Sequence, residues 1–138
     1  SPCVHAILAA KLGDEKRAYE FYLRTARLDL DDYNNDTEDG LHITSMAGSW
    51  MSIVEGFAGM RVHDNKLHFN PFTPEKWQSY TFNILFRNMT LRIKETKQQI
   101  TIENKSDENL HLYVHDLPIT VSARDMFTMD LKGIKQVI

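Results

Sequence analysis

Cysteine is nearly absent. Cys3 is the only one in 138 residues, which excludes an internal disulfide, and no CxxC pair or spaced Cys/His set of the kind zinc requires is present. A reducing compartment, hence the cytoplasm, is the expected location. The chain also lacks an excess of positive charge: 16 Lys and Arg stand against 19 Asp and Glu, the formal net charge is −3, and the basic residues are scattered. A nucleic-acid surface is not expected from that distribution. No apolar run approaches the length of a membrane span, and the opening Ser1-Pro2-Cys3-Val4-His5 carries neither an initiator methionine nor a signal peptide. With 42% hydrophobic and 25% charged residues, what remains is globular material for one domain or parts of two.

The first sixty or so residues have helical spacing. Ser1 and Pro2 suit an N-cap and first helical position, Val4, Ile7, Leu8 and Lys11 follow, and Gly13 suits a C-cap, which predicts a helix from Pro2 to Leu12. Asp14 caps a second helix with an apolar stripe of Tyr19, Tyr22, Leu23, Ala26 and Leu30. An acidic, Asn-rich segment, Asp31 to Gly40, follows and is long for a helix connection. The third helix, Ile43 to Ala58, is apolar around most of its circumference through Met46, Trp50, Met51, Ile53, Val54 and Phe57. Such a helix belongs inside a body larger than three helices can enclose, a first sign of truncation.

From Leu67 onward the period changes to two. Tyr80, Phe82, Ile84 and Phe86 form one alternating set, Met89, Leu91 and Ile93 another, then Ile100 with Ile102, and Leu110, Leu112 and Val114 against His111, Tyr113 and His115. Pro71 and Pro74 mark a joint. The expectation is an α+β chain with a helical segment over 1–62 and an antiparallel meander or sandwich over 63–138.

Chemistry concentrates in Thr37 to Trp50, where a polar acidic loop enters an apolar helix through small hydroxyl residues. A helix start carries unpaired N–H donors and partial positive charge, so Thr44, Ser45, His42 and the unobstructed Gly48 could hold an oxyanion. The plainer account makes Thr44 or Ser45 a cap, Gly48 a close-packing position and His42 a partner of a loop carbonyl. Asp36, Glu38 and Asp39 fit either paired catalytic carboxylates or a solvated loop. His5, His63, His68, His111 and His115 show no metal-ligand spacing, and no metal or cofactor is expected. Asn88-Met89-Thr90 and Asn104-Lys105-Ser106 match a glycosylation acceptor pattern and are taken as unused.

Ser1 to Ala10, then Arg24 through Trp50, Gly56-Phe57-Ala58-Gly59-Met60-Arg61 and Phe69-Asn70-Pro71 resemble the C-terminal portion of glycoside hydrolase family 65, which contains maltose, trehalose and kojibiose phosphorylases. Beyond Lys76 the likeness is one of β architecture. The resemblance implies the last helices of an (α/α) barrel of six hairpins followed by a small C-terminal β domain. It implies an inverting phosphorolysis in which a glutamic acid protonates the glycosidic oxygen and inorganic phosphate attacks the anomeric carbon, so that an anion site stands where a hydrolase needs a base. Carried over by position, Ser45 is a hydroxyl donor to phosphate, His42 a side-chain donor, Gly48 lets the anion approach backbone N–H groups, and Thr44 flanks them. The catalytic glutamate has no equivalent here, and the isolated chain is expected to be inactive. The implied partners are inorganic phosphate, an α-linked disaccharide, the rest of the enzyme and a second copy in a homodimer. The alternatives are a non-catalytic module binding carbohydrate or a partner chain, and a family hydrolase using water.

Overall fold

The computed structural model describes residues 1–27 and 43–132, with the backbone alone given for 43–46. The expected positions Leu30, Asp31 to Gly40 and His42 lie outside the described residues. Two compact units form, one of Ser1–Phe57 and one starting at Ala58, where sequence spacing set the division at 62/63.

The helical unit contains α1 (Pro2–Lys11), α2 (Glu15–Ala26) and α3 (Ile43–Met51). Ser1 makes no side-chain cap, and its carbonyl accepts from His5 N and Nδ1 instead. The α1 end follows from Gly13, whose φ of 78° lets Gly13 N–H reach Ala10 O and Asp14 N–H reach Ala9 O. That pair of bonds is a Schellman closure. Asp14 then caps α2, its carboxylate accepting from Arg17 N at 3.1 Å.

Two helical expectations are corrected. The apolar line buried on α2 runs through Ala18 and Thr25, while Tyr19, Tyr22 and Leu23 are half-exposed and Ala26 is exposed, because small residues let α2 approach α1 along Ala6, Ala9 and Ala10. The third helix does not continue regularly to Ala58: α3 ends at Met51 and a π-helical segment, Ser52–Phe57, takes over. Val54 and Phe57 of that segment are fully buried, with Tyr22 edge-on to Phe57 at 5.3 Å.

The second unit holds β1 (Arg61–His63), β2 (Lys66–Phe69), β3 (Ser79–Phe86), β4 (Met89–Thr96), β5 (Gln99–Asn104), β6 (Leu110–Val114), β7 (Leu117–Val121) and β8 (Met126–Asp130). They form two four-stranded sheets, β1-β2-β6-β7 and β3-β4-β5-β8. The period-two pattern appears as inward Tyr80, Phe82 and Ile84 on β3, Leu91 and Ile93 on β4, and Ile100 and Ile102 on β5.

The meander expectation needs one correction, since β2 pairs with β6 in parallel, His68 opposite Tyr113. The long excursion through β3 to β5 lets the chain re-enter beside β2 in the same direction. Three hairpins, β1–β2, β3–β4 and β6–β7, turn on two residues of positive φ: Asp64-Asn65, Arg87-Asn88 and His115-Asp116. These are primed turns whose twist matches the strands. His115 therefore leaves the strand it was expected to share with His111 and lies buried in a turn.

Candidate functional site

α3 has nine residues, so the N–H groups without a partner inside the helix are those of its first turn, where Thr44 and Ser45 lie. The side chains of Thr44 and Ser45 and the whole of His42 are outside the described residues. Gly48 lies one turn further in and is buried. A Cβ there would stand 3.0 Å from Cys3 Cβ and 3.2 Å from Thr25 Cγ2, so the absent side chain is the space into which α1 and α2 pack. The Gly48 carbonyl accepts from Ser52 Oγ at 2.8 Å, and Thr25 Oγ1 donates to Phe21 O at 3.0 Å. The helix carrying the hydroxyl pair is thus held by contacts from both neighbouring helices, and its first turn can present backbone donors to an anion.

The other candidates are dispersed. Asp36, Glu38 and Asp39 fall outside the described residues. His63, His68 and Tyr113 line up on the sheet, with His68 stacked on Tyr113 at 4.6 Å and His63 edge-on to His68 at 5.8 Å. His111 Nδ1 shares a hydrogen bond with Thr120 Oγ1, and burial holds the His115 imidazole below its ordinary value. Among the described residues no three His, Cys, Asp or Glu side chains converge as a metal site would need. Asn104 is fully buried, its amide donating to Glu108 O, Val121 O and Ser122 O and accepting from Ser106 N and Oγ, which closes that acceptor pattern to modification.

Sequence reasoning missed Glu95. It occupies an inward position of β4 opposite Tyr80, is 1% exposed, and neither carboxyl oxygen has a hydrogen-bond partner. Burial pushes its carboxyl up to about 9, so it is neutral at pH 7. Burial first, and Glu95 second, push the Tyr80 phenol up, while its hydroxyl donates to Phe72 O at 2.9 Å. The available signal was its place in the inward set Met89, Leu91, Ile93, Glu95.

Comparison with known proteins assigns both units to one family. The model for the glycosyl hydrolase family 65 central catalytic domain matches residues 1–51, and that for the family's C-terminal domain matches residues 60–121. The chain belongs to glycosyl hydrolase family 65. Within this family it is 52% identical, over 90% of its length, to maltose phosphorylase of Bacillus subtilis (strain 168), and 40% identical, over 86%, to alpha,alpha-trehalose phosphorylase of Thermoanaerobacter brockii. It covers 16% and 15% of those two proteins, so it spans about one-sixth of their length. A solved structure described as a putative kojibiose phosphorylase from the human microbiome superposes on all of the chain with a TM-score of 0.89 at 36% identity, the chain covering 20% of it. The α+β arrangement, family 65 helices followed by a small sheet domain, is shared with that structure. Among the described residues, no helix is long and apolar enough to cross a membrane.

Proposed function

We propose that the chain is the C-terminal part of an inverting disaccharide phosphorylase, which cleaves an α-glucosidic bond with inorganic phosphate to give β-glucose 1-phosphate and glucose. The observation that carries this reading is the 52% identity, over 90% of the chain, to a maltose phosphorylase. In this reading the start of α3 is part of the phosphate site. The first-turn N–H groups and the Ser45 hydroxyl donate to phosphate oxygens, His42 adds a side-chain donor, and Thr44 flanks them. Phosphate is itself an anionic nucleophile, so a preorganised anion site replaces the second carboxylate that a water-using enzyme requires. The general acid is a glutamate outside this chain. No cofactor takes part, and the full-length enzyme works as a cytoplasmic homodimer.

The test is an assay of the full-length enzyme with a panel of α-linked glucosyl disaccharides, with and without phosphate. Phosphate-dependent release of β-glucose 1-phosphate supports the proposal. Release of free glucose alone, at a rate indifferent to phosphate, makes the protein a hydrolase and overturns it.

A further inference from the structure

The passage from α3 into the π-helical segment is held at one turn by two unlike devices. Ser52, the first π residue, is fully buried and returns its hydroxyl to Gly48 O at 2.8 Å, a back-bond of the kind that bends helices. Gly48, four residues earlier, presents no Cβ because Cys3 Cβ of α1 and Thr25 Cγ2 of α2 occupy its surroundings at 3.0 and 3.2 Å. The Thr25 methyl is turned there because its own hydroxyl is tied to Phe21 O. Glycine inside a helix is less favourable than alanine, and a π segment interrupts regular bonding; both are concentrated here. Gly48 is thus a point where α3 packs closely on both α1 and α2. Ser45 lies three residues before Gly48, about 4.5 Å along the axis at the usual helical rise.

We infer that Gly48 and Ser52 are positioning residues for the phosphate site at the start of α3, an inference that rests on the phosphorylase reading above. Neither touches phosphate. They set where the first-turn donors stand, and displacements near 1 Å are enough to degrade a preorganised site about a hundredfold in unfavourable cases.

In the full-length enzyme, Ser52→Ala and Gly48→Ala are each expected to raise the KM for phosphate about tenfold while changing the KM for disaccharide less than about twofold. Ser52→Thr, which keeps the hydroxyl, restores the phosphate KM. Ser45→Ala in the same enzyme separates the two claims. If Ser45→Ala raises the phosphate KM and the Ser52 and Gly48 variants do not, positioning is wrong and the phosphate site stands. If Ser45→Ala leaves the phosphate KM unchanged, the underlying site assignment is wrong. Equal rises in both KM values mean general loosening and also overturn positioning. Should Ser52→Ala fail to fold by circular dichroism, Gly48→Ala decides the question.

Discussion

Glu95 is the residue whose protonation ties the β unit to pH. The folded carboxyl titrates near 9 because it is buried without partners, whereas an exposed glutamate titrates near 4.5. Its effect on stability is most favourable below the unfolded value and declines as pH rises from about 4.5 to about 9, the interval in which the unfolded chain gives up the proton and the folded one keeps it. Replacing Glu95 with Gln keeps the shape and removes the titration. Urea unfolding of the chain at pH 6 and pH 8 should show wild type losing stability over that interval, with Glu95→Gln nearly flat and more stable at pH 8 by about 1–3 kcal/mol. An unchanged pH slope would show that Glu95 is ionised in the fold. Asn104 is the opposite case, a buried polar group with every bond made. Asn104→Ala removes the amide donor to the Glu108, Val121 and Ser122 carbonyls and the acceptor of Ser106 N and Oγ, and should lower the urea midpoint by the equivalent of about 2–4 kcal/mol at constant m-value. Neither role was legible in sequence. Asn104 stood only in a glycosylation pattern, and Glu95 sat in an alternating set whose apolar members drew the inference.

Among the elements, those announced by local chemistry were legible. Pro2, Gly13 and Asp14 marked the ends of α1 and the start of α2 because caps and closures are formed by neighbours in sequence. The long strands β3 and β4 were visible in strict alternation. Strands β1, β7 and β8 were not, because three to five residues give too few periods and their exposed faces carry mixed residues. The parallel pairing of β2 with β6 is a long-range fact with no local signature. The π-helical segment was hidden for the same reason: it is selected by the packing of Val54 and Phe57 and by Ser52, not by spacing. The primed turns allow a direct check at this scale. Arg87 and Asn88 hold φ values of 50° and 64°, which an Asn-Gly pair adopts at less cost. Arg87→Asn combined with Asn88→Gly should stabilise the β unit by about 0.5–1 kcal/mol, read as a higher urea midpoint. A lower midpoint would mean that the long side chains at this turn outweigh its backbone strain.

For the molecule as a whole, the helical unit shows the marks of a part. Val4 and Leu8 of α1 and Leu12 at its C-cap stand four residues apart and are 50%, 50% and 70% exposed, and Trp50 of α3 is half-exposed. A single surface leucine means little, but an exposed apolar stripe of this kind is the mark of a face suited to burial against another surface. The all-round apolar character of the third helix carried that conclusion from sequence, because a helix without a polar face needs neighbours on every side. The chemistry was less legible. Thr37 to Trp50 allows both an anion site and a simple cap, since donors aimed at an anion and donors aimed at a cap are the same residue types, and the proposed phosphate site rests on likeness to a family. The chain covers 16% of the maltose phosphorylase it matches. The 138-residue chain alone should show no turnover with any α-linked disaccharide and phosphate.

The central claim, that the start of α3 holds the attacking phosphate, is tested most directly by steady-state kinetics of the full-length enzyme carrying Ser45→Ala, with phosphate and disaccharide varied independently. The account predicts a phosphate KM raised by about tenfold or more with the disaccharide KM nearly unchanged. A phosphate KM equal to that of the wild type would contradict it.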